Sequence, residues 1–375
     1  MAYTTIDDPS AYFQTAIWTG NGSSPRTITH AGNSNMQPDL VWHTSRSDAG
    51  RTRYLHDSSR GFGSEKEIGS NNDDEEDSNN HVTENHGYIA SASTDSFVLG
   101  AGNTNDNYTN KSSSTYVAWN WKANGGTTTS NGASGDIKAS VTQRENTAKF
   151  AICTYTGTGI NSGQSHRVNH GLGVAPHLMF FKNRATDGTD WVVYHHKNTA
   201  APETDFLILN TNAATADNVD KFADTAPNTS YATIGGDDNI SSGSMVLYSW
   251  AEVQGYSKFG TYDGNGNASG PFIYLGFEPA YLIIKRTSST GEWVALTGKL
   301  SGVGDGDEGN TVQKGIYLHD QETTETADFS TDFLSNGFKI KHTSNATNAS
   351  GSTYVYAAWA QHPFVSSEGV PHTAR

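Results

Sequence analysis

Short runs of alternating apolar and polar residues, separated by glycine- and asparagine-rich turns, recur along the whole chain. The clearest runs are 116–121, 245–250 and 354–359, which are rich in tyrosine, tryptophan, valine and alanine. Aromatic and β-branched residues in such runs are typical of half-buried β-strands, and Asn-Gly pairs favour tight turns. The pattern therefore predicts an all-β protein of many short strands. A stretch such as 210–222 is expected to hold a short helix.

Three sequence anchors recur in the same order three times. The first is an aromatic residue followed by x-Gly-x-Gly, the second is a proline that opens an apolar strand, and the third is Val-x-x-x-Trp at the end of the copy. They lie at 18–22, 38 and 117–121, then at 155–159, 176 and 246–250, then at 262–266, 279 and 355–359. Three anchors in a constant order predict three copies of one unit of about 100 residues.

The anchors divide the chain into four parts. The predicted parts are a first copy with an N-terminal anchor and an acidic insertion (1–122), a flexible linker (123–148), a second copy (149–255) and a third copy with a C-terminal tail (256–375). The linker is inferred from the Asn-, Gly- and Thr-rich stretch 124–132. Several short strands per copy predict an all-β fold of three tandem β-sandwich, jelly-roll-like repeats.

The charge of the chain narrows the choice of partners. The sequence has 39 acidic and 24 basic residues, for a net charge of −15. A surface that binds nucleic acid needs the opposite sign, so nucleic acid is not an expected partner.

No apolar run approaches the roughly 20 residues that cross a bilayer, so no membrane insertion is expected. The single cysteine, Cys153, excludes an intramolecular disulfide and is expected to be buried.

Two acidic stretches are the candidate interaction loops. One belongs to the insertion 71–80, and the other is the glycine-rich stretch 304–309. Carboxylate oxygens bind hard divalent cations, but the insertion lacks the alternating spacing and central glycine of a calcium loop. A solvated loop is therefore the preferred interpretation of the insertion, and a glycine-rich turn that of 304–309, with a cation site as the alternative for each. The candidate residues are Asp73, Asp74, Glu75, Glu76, Asp77, Asp305, Asp307 and Glu308.

No motif of an enzyme is present in the sequence. The chain has no phosphate loop, no Gly-x-Ser-x-Gly and no His-Glu-x-x-His, so no catalytic residue, cofactor or metal is predicted. A pair of carboxylates that hydrolyses glycosides remains open, but no feature selects one among 39 acidic residues. The repeated Trp121, Trp250 and Trp359 are interpreted as core residues, with a triplicated sugar-binding site as the alternative.

Several structural motifs resemble those of a known family. They are the opening 1–7 with 12–14, the aromatic-x-Gly-x-Gly turns, the stretch 170–176 and the junction 251–260. The chain resembles virion proteins from tailed phages of marine and freshwater bacteria, notably cyanobacteria, which are tail-fibre-like or structural proteins. The resemblance spans nearly the whole chain. It implies membership of the virion, but it does not imply a receptor, an enzymatic activity or a position on the particle.

The resemblance leaves three functions open. The first is a tail-fibre or appendage protein that contacts the host cell surface, and the second is a capsid or tail decoration protein that binds other virion proteins. The third is a glycan depolymerase. The expected partners are other virion proteins, a host surface glycan and further copies of the chain in a homo-oligomer. A trimer is one form of that oligomer, and a pseudo-threefold body of one chain on a threefold partner is the alternative.

Overall fold

In the computed structural model, the regular secondary structure of the chain is almost entirely β-strand. The structure describes residues 2–77, 86–100, 108–300, 310–321 and 329–372. The high content of strand and the low content of helix confirm the all-β prediction. The described helices are a 3-10 turn at Pro9–Ala11 and three four-residue helices, α1 (Val219–Phe222), α2 (Asp238–Ser241) and α3 (Asn345–Asn348). Helix α1 lies where a short helix was expected. No helix in the described ranges is long and apolar enough to cross a membrane.

The strands fall into three consecutive segments. The first segment, 13–121, contains β1 (Phe13–Thr19), β2 (Arg26–Thr29), β3 (Leu40–Ser45), β4 (Tyr54–Asp57), β5 (Ile68–Gly69), β6 (Tyr88–Ser93), β7 (Ser96–Gly100) and β8 (Thr115–Trp121).

The second segment, 129–250, contains β9 (Thr129–Asn131), β10 (Ile137–Lys138), β11 (Ser140–Glu145), β12 (Phe150–Thr158), β13 (His166–Asn169), β14 (Leu178–Asn183), β15 (Val192–His195), β16 (Asp205–Ile208), β17 (Ala216–Asp217), β18 (Tyr231–Ile234) and β19 (Ser242–Trp250).

The third segment, 257–363, contains β20 (Ser257–Asp263), β21 (Phe272–Tyr274), β22 (Phe277–Arg286), β23 (Trp293–Thr297), β24 (Thr311–Val312), β25 (Gly315–Tyr317), β26 (Thr331–Leu334), β27 (Gly337–Ile340) and β28 (Thr353–Pro363).

The main sheets of the three segments have the same strand order. The orders are β1-β8-β3-β4-β5, β12-β19-β14-β15-β16 and β20-β28-β22-β23-β25, the second of these inside an eight-stranded sheet. The antiparallel registers also agree, because Leu40 pairs with Trp121, Leu178 with Trp250 and Tyr281 with Trp359. A smaller sheet accompanies each main sheet: β2-β7-β6, β10-β13-β18 and β21-β27-β26-β24.

The repeated glycines have a steric reason. A Cβ on Gly20 would lie 1.9 Å from Lys111 O, and a Cβ on Gly157 would lie 2.2 Å from Ser241 O. The opposing backbone is the stretch just before the last strand of each segment: a loop at Lys111, the end of α2 at Ser241 and, for Gly264, Ala349 after α3. Any other residue at these positions would push that stretch away. The first anchor therefore fixes the end of β1, β12 and β20 against the stretch that leads into the last strand.

The proline anchor follows the prediction in two segments. Strands β3 and β14 begin two residues after Pro38 and Pro176. In the third segment, Pro279 lies inside β22 rather than at its start. The β22–β28 register shifts on both sides of Pro279. A bulge tolerates proline because the missing N–H is not needed for the ladder there.

The predicted flexible linker 123–148 is structured. It contains β9, β10 and β11, and β11 pairs with β12 over six residues from Ser140 to Glu145. The prediction was wrong because backbone hydrogen bonds, rather than apolar side chains, hold these polar strands. The second segment therefore begins well before Phe150, and its sheet extends to eight strands.

The main sheets are buried on both faces. In β8, Tyr116 and Ala118 pack with residues of the small sheet of the first segment. The alternate residues Val117, Trp119 and Trp121 belong to a separate, larger core. Successive strand residues point to opposite faces, so the main sheets of the first and second segments each separate a local core from the shared one. In the third segment, residues of both faces belong to the shared core.

The shared core brings the three repeated tryptophans together. The ring centroids are 5.9 Å apart for Trp121 and Trp250, 5.2 Å for Trp121 and Trp359, and 6.0 Å for Trp250 and Trp359. All three contacts are edge-to-face. None of the three side chains is more than 2% exposed. These tryptophans are core residues, as the sequence predicted, and they join the three segments at one point.

Candidate functional site

The acidic stretch 73–77 lies between the first and second segments. The backbone oxygen of Asp73 accepts a hydrogen bond from Lys182 Nζ at 3.0 Å, and Glu76 N donates to Arg184 O at 3.1 Å. Glu75 N donates to a carboxylate of the second segment at 3.0 Å. These bonds and the partial burial of the stretch replace the interpretation of a freely solvated loop. The first candidate interaction loop, 73–77, therefore makes its contacts within the molecule.

The remaining acidic candidates have separate surroundings. Asp74 accepts a hydrogen bond from Asn72 Nδ2 at 2.8 Å, and Asp77 N donates to Glu67 O at 3.4 Å. Burial raises the pKa of the Asp77 carboxyl. The other predicted loop, with Asp305, Asp307 and Glu308, lies outside the described residues.

Glu76 is the centre of a buried charge network. Its carboxylate accepts hydrogen bonds from Arg60 Nη1 at 2.6 Å and from Arg184 Nη1 on the second segment. Arg60 Nε also donates to Asp57 Oδ2 at 2.5 Å. Tyr248 OH, from β19, donates to the same Asp57 oxygen at 2.6 Å. The charges of this network are therefore neutralised across the boundary between two segments.

Glu67 lies beside this network without a full set of partners. Its side chain is 2% exposed, and Oε1 has no hydrogen bond among the described residues. Burial raises the pKa of Glu67 to about 8. Desolvation disfavours the ionised carboxylate more than the nearby Arg60 favours it. The folded chain therefore prefers Glu67 in its neutral form.

Replacing Glu67 with glutamine is expected to stabilise the protein at alkaline pH. A raised pKa in the folded state gives stability that is complete below the ordinary value near 4.5 and is lost as the pH rises through about 8. Glutamine stays neutral, so the variant should gain on the order of 1–3 kcal/mol over the wild type between pH 5 and pH 9. Urea unfolding at both values measures the gain. The exposed Glu65→Gln serves as control, and parallel pH profiles for Glu67→Gln and wild type would contradict the assignment.

Equivalent side chains connect each segment to the next. In every case the donor precedes or begins the fourth strand of the main sheet order, and the acceptor lies in the fifth strand of another segment. The bonds are Trp191 Nε1 to Gly69 O at 2.7 Å, Trp293 Nε1 to Ile208 O at 2.8 Å, and Arg53 Nε to Tyr317 O at 3.0 Å. They run from the second segment to the first, from the third to the second, and from the first to the third. The three segments therefore form a closed ring.

Two buried lysines strengthen the same boundaries. Lys182 Nζ donates to Asp73 O at 3.0 Å and to Thr189 O at 2.5 Å, and Lys285 Nζ donates to Asn212 O at 3.3 Å. Burial lowers the pKa of Lys182 to about 8 and that of Lys285 to about 7. Each lysine of one segment thus binds backbone carbonyls of the preceding segment. In the first segment, the register position that corresponds to Lys182 and Lys285 is occupied by Thr44.

An exposed aromatic edge distinguishes the third segment. Strand β21 lies at the edge of its sheet, and its Phe272 and Tyr274 are 47% and 48% exposed. Tyr3 OH lies 3.2 Å from Tyr274 OH. The ammonium of Lys258 lies 5.4 Å from the Tyr274 ring centroid. Amphipathic rings of this kind offer stacking and hydrogen bonding to a partner.

One cluster of side chains has the composition of a metal site. Glu278, His362 and His372 each place one ligand atom within 4.8 Å of the others. His372 Nε2 lies 3.0 Å from Glu278 Oε2, and the His362 and His372 rings stack with centroids 4.5 Å apart. In the described part of the chain this is the one group of three such residues. No sequence motif marks this cluster, because Glu278 and His362 lie 84 positions apart in the chain.

The comparisons with known proteins identify one family. No curated protein and no solved structure matches the chain. The match that is found runs over residues 8–363, from the 3-10 turn to the end of β28, and therefore covers all three segments. The chain belongs to the family described as Domain of unknown function (DUF7483).

Proposed function

We propose that the chain is a non-enzymatic structural protein of a tailed-phage particle, where it acts as an appendage protein that contacts the host surface. In this proposal its finer architecture is three tandem β-sandwich repeats that close into one pseudo-threefold body. The observation that carries the proposal is the ring of equivalent contacts between the segments. The assignment to a phage particle rests on the resemblance of the sequence to virion proteins.

The ring gives a single chain the symmetry of a trimer. Proteins of a virion often meet on symmetry axes. A single chain with three equivalent faces can bind a threefold-symmetric partner without two further copies of itself. The match of one family to 8–363 supports treating the three segments as one functional body. The homo-oligomer expected from the sequence remains a prediction, with the single-chain pseudo-trimer as its competitor.

Differences between the segments support a contact with a second partner. The interior contacts are repeated, whereas among the described residues the exposed aromatic edge at Phe272 and Tyr274 belongs to the third segment alone. A surface that only bound a threefold-symmetric partner would need the same residues on all three faces. An edge with stacking rings beside Tyr3 and Lys258 has the chemistry that binds sugar rings. This edge favours the appendage function over decoration of the capsid.

Antibody-gold labelling of intact particles, viewed by electron microscopy, tests the function. We expect gold on the tail or its fibres. Gold spread over the head would make the chain a capsid decoration protein instead, and particles without gold would contradict membership of the virion. Light scattering on the purified chain is the companion measurement. A mass of 40.2 kDa supports the single-chain pseudo-trimer, and three times that mass supports the homotrimer.

A further inference from the structure

We propose that Glu278, His362 and His372 bind one divalent transition-metal ion, with Zn²⁺ as the preferred metal, and that the ion fastens the C-terminal stretch 364–372 to the body. The site is independent of the proposed function in the virion. It lies in the third segment, where the start of β22 and the end of β28 meet the tail.

The donor set selects the class of metal. Two imidazole nitrogens and one carboxylate oxygen suit Zn²⁺, Co²⁺ and Ni²⁺, whereas Ca²⁺ and Mg²⁺ prefer oxygen ligands throughout. Zn²⁺ with three protein ligands completes a tetrahedron with one water. Glu278 is 8% exposed, and the His372 side chain is 27% exposed, so one side of the cluster faces solvent. Solvent can therefore supply both the ion and the fourth ligand.

The distances require only a small adjustment. Zn²⁺ bonds to nitrogen and oxygen are about 2.1 Å long, so two ligands of a tetrahedral ion lie about 3.4 Å apart. His372 Nε2 and Glu278 Oε2 already meet at 3.0 Å. No pair of ligand atoms in the cluster exceeds 4.8 Å. Rotations of the side chains close this gap without a movement of the backbone.

Backbone bonds place His372 in reach of the other two ligands. Phe364 N donates to Gly276 O at 3.1 Å, and His372 N donates to Phe364 O at 2.8 Å. The tail between them also reaches the N-terminal region, because Ser367 N donates to Asp7 Oδ1 at 2.6 Å. An ion bound by His372 would therefore hold both ends of the described chain against the third segment.

A second group of the same residue types provides a natural contrast. His177 and His196 have ring centroids 4.4 Å apart, and His196 Nε2 lies 3.7 Å from Glu252 Oε1. However, His196 Nε2 lies 2.7 Å from Phe259 O, and His177 Nδ1 accepts a hydrogen bond from Glu252 N. Those backbone bonds occupy ring nitrogens that a metal would need. His196→Ala is accordingly the matched control for His372→Ala.

The test is metal binding by the full chain, purified without a histidine tag. We expect titration calorimetry to show one Zn²⁺ per chain, and Co²⁺ to give the visible absorption of a site with nitrogen and oxygen ligands. His372→Ala and Glu278→Gln should each weaken Zn²⁺ binding by more than the roughly 10- to 100-fold that loss of an outer-shell partner costs. Zn²⁺ should also raise the melting temperature of the wild type and leave that of His372→Ala unchanged.

The controls separate a specific site from loss of folding. His196→Ala should retain the stoichiometry and affinity of the wild type. Circular dichroism on His372→Ala should match the wild type, because the substituted residue lies in the tail and outside every strand. Absence of Zn²⁺ binding by the wild type at micromolar concentration would overturn the proposal. Full binding by His372→Ala would overturn it as well.

Discussion

Replacing Trp359 with alanine is expected to lower the free energy of unfolding by about 3–5 kcal/mol. The ring of Trp359 is 1% exposed and contacts aromatic rings of all three segments. Its neighbours include Phe13 at 6.2 Å, Trp250 at 6.0 Å and Phe259 at 5.6 Å between centroids. The substitution leaves a cavity that no single segment can fill by moving. Urea unfolding followed by tryptophan fluorescence and circular dichroism measures the loss.

Two companion variants show whether the centre is responsible. Trp359→Phe keeps an aromatic ring at the centre and should lose clearly less stability than alanine. Phe272→Ala removes a large ring that is 47% exposed, so its effect should stay within about 1 kcal/mol. Equal losses for Trp359→Ala and Phe272→Ala would contradict a shared core. Separate unfolding transitions for the three segments in the wild type would contradict it too.

The repeated anchors were predictable because each has a local cause. Gly20 and Gly157 permit a close backbone approach that any side chain would block, and that constraint acts within one segment. The burial of Trp121 followed from its place in a run of aromatic and apolar residues. Local rules of this kind operate identically in each copy, so the sequence shows them three times.

The closed ring was not predictable from the same runs. Tyr116 to Trp121 in β8 is apolar on both faces, which indicates that both faces are covered but not by which part of the chain. The contacts that close the ring also use different residues at equivalent positions. Arg53 donates where Trp191 and Trp293 donate in the other segments, so a search for identical residues does not find the boundary.

The contacts of the acidic stretch 73–77 and of the metal cluster could not be predicted from the sequence either. The sequence identified the acidic residues by their charge density, but their partners Arg60 and Arg184 come from elsewhere in the chain. His372 and Glu278 are 94 residues apart, and neither has a neighbour that marks it as a ligand. Long-range pairing of polar groups depends on the tertiary fold and leaves no periodic trace in the sequence.

Replacing Arg60 with methionine is the second substitution expected to cost about 3–5 kcal/mol, in this case through a buried charge. Methionine occupies a similar volume, so the loss isolates the charge and its hydrogen bonds. Without Arg60, the fully buried side chain of Asp57 loses its cationic partner, and Glu76 keeps only Arg184. An unpaired carboxylate in the interior is far less stable than one in water.

Urea unfolding at pH 7 compares this variant with two others. The exposed pair of Lys111 and Asp48 supplies the matched control, since Lys111 is 37% exposed and Lys111→Met should cost less than about 1 kcal/mol. Adding Asp57→Asn to Arg60→Met should recover part of the loss, because asparagine carries no charge and still accepts from Tyr248 OH. Equal costs for Arg60→Met and Lys111→Met would show that the network does not stabilise the boundary between the first two segments. A double variant less stable than Arg60→Met would show that the buried charge is not the cause.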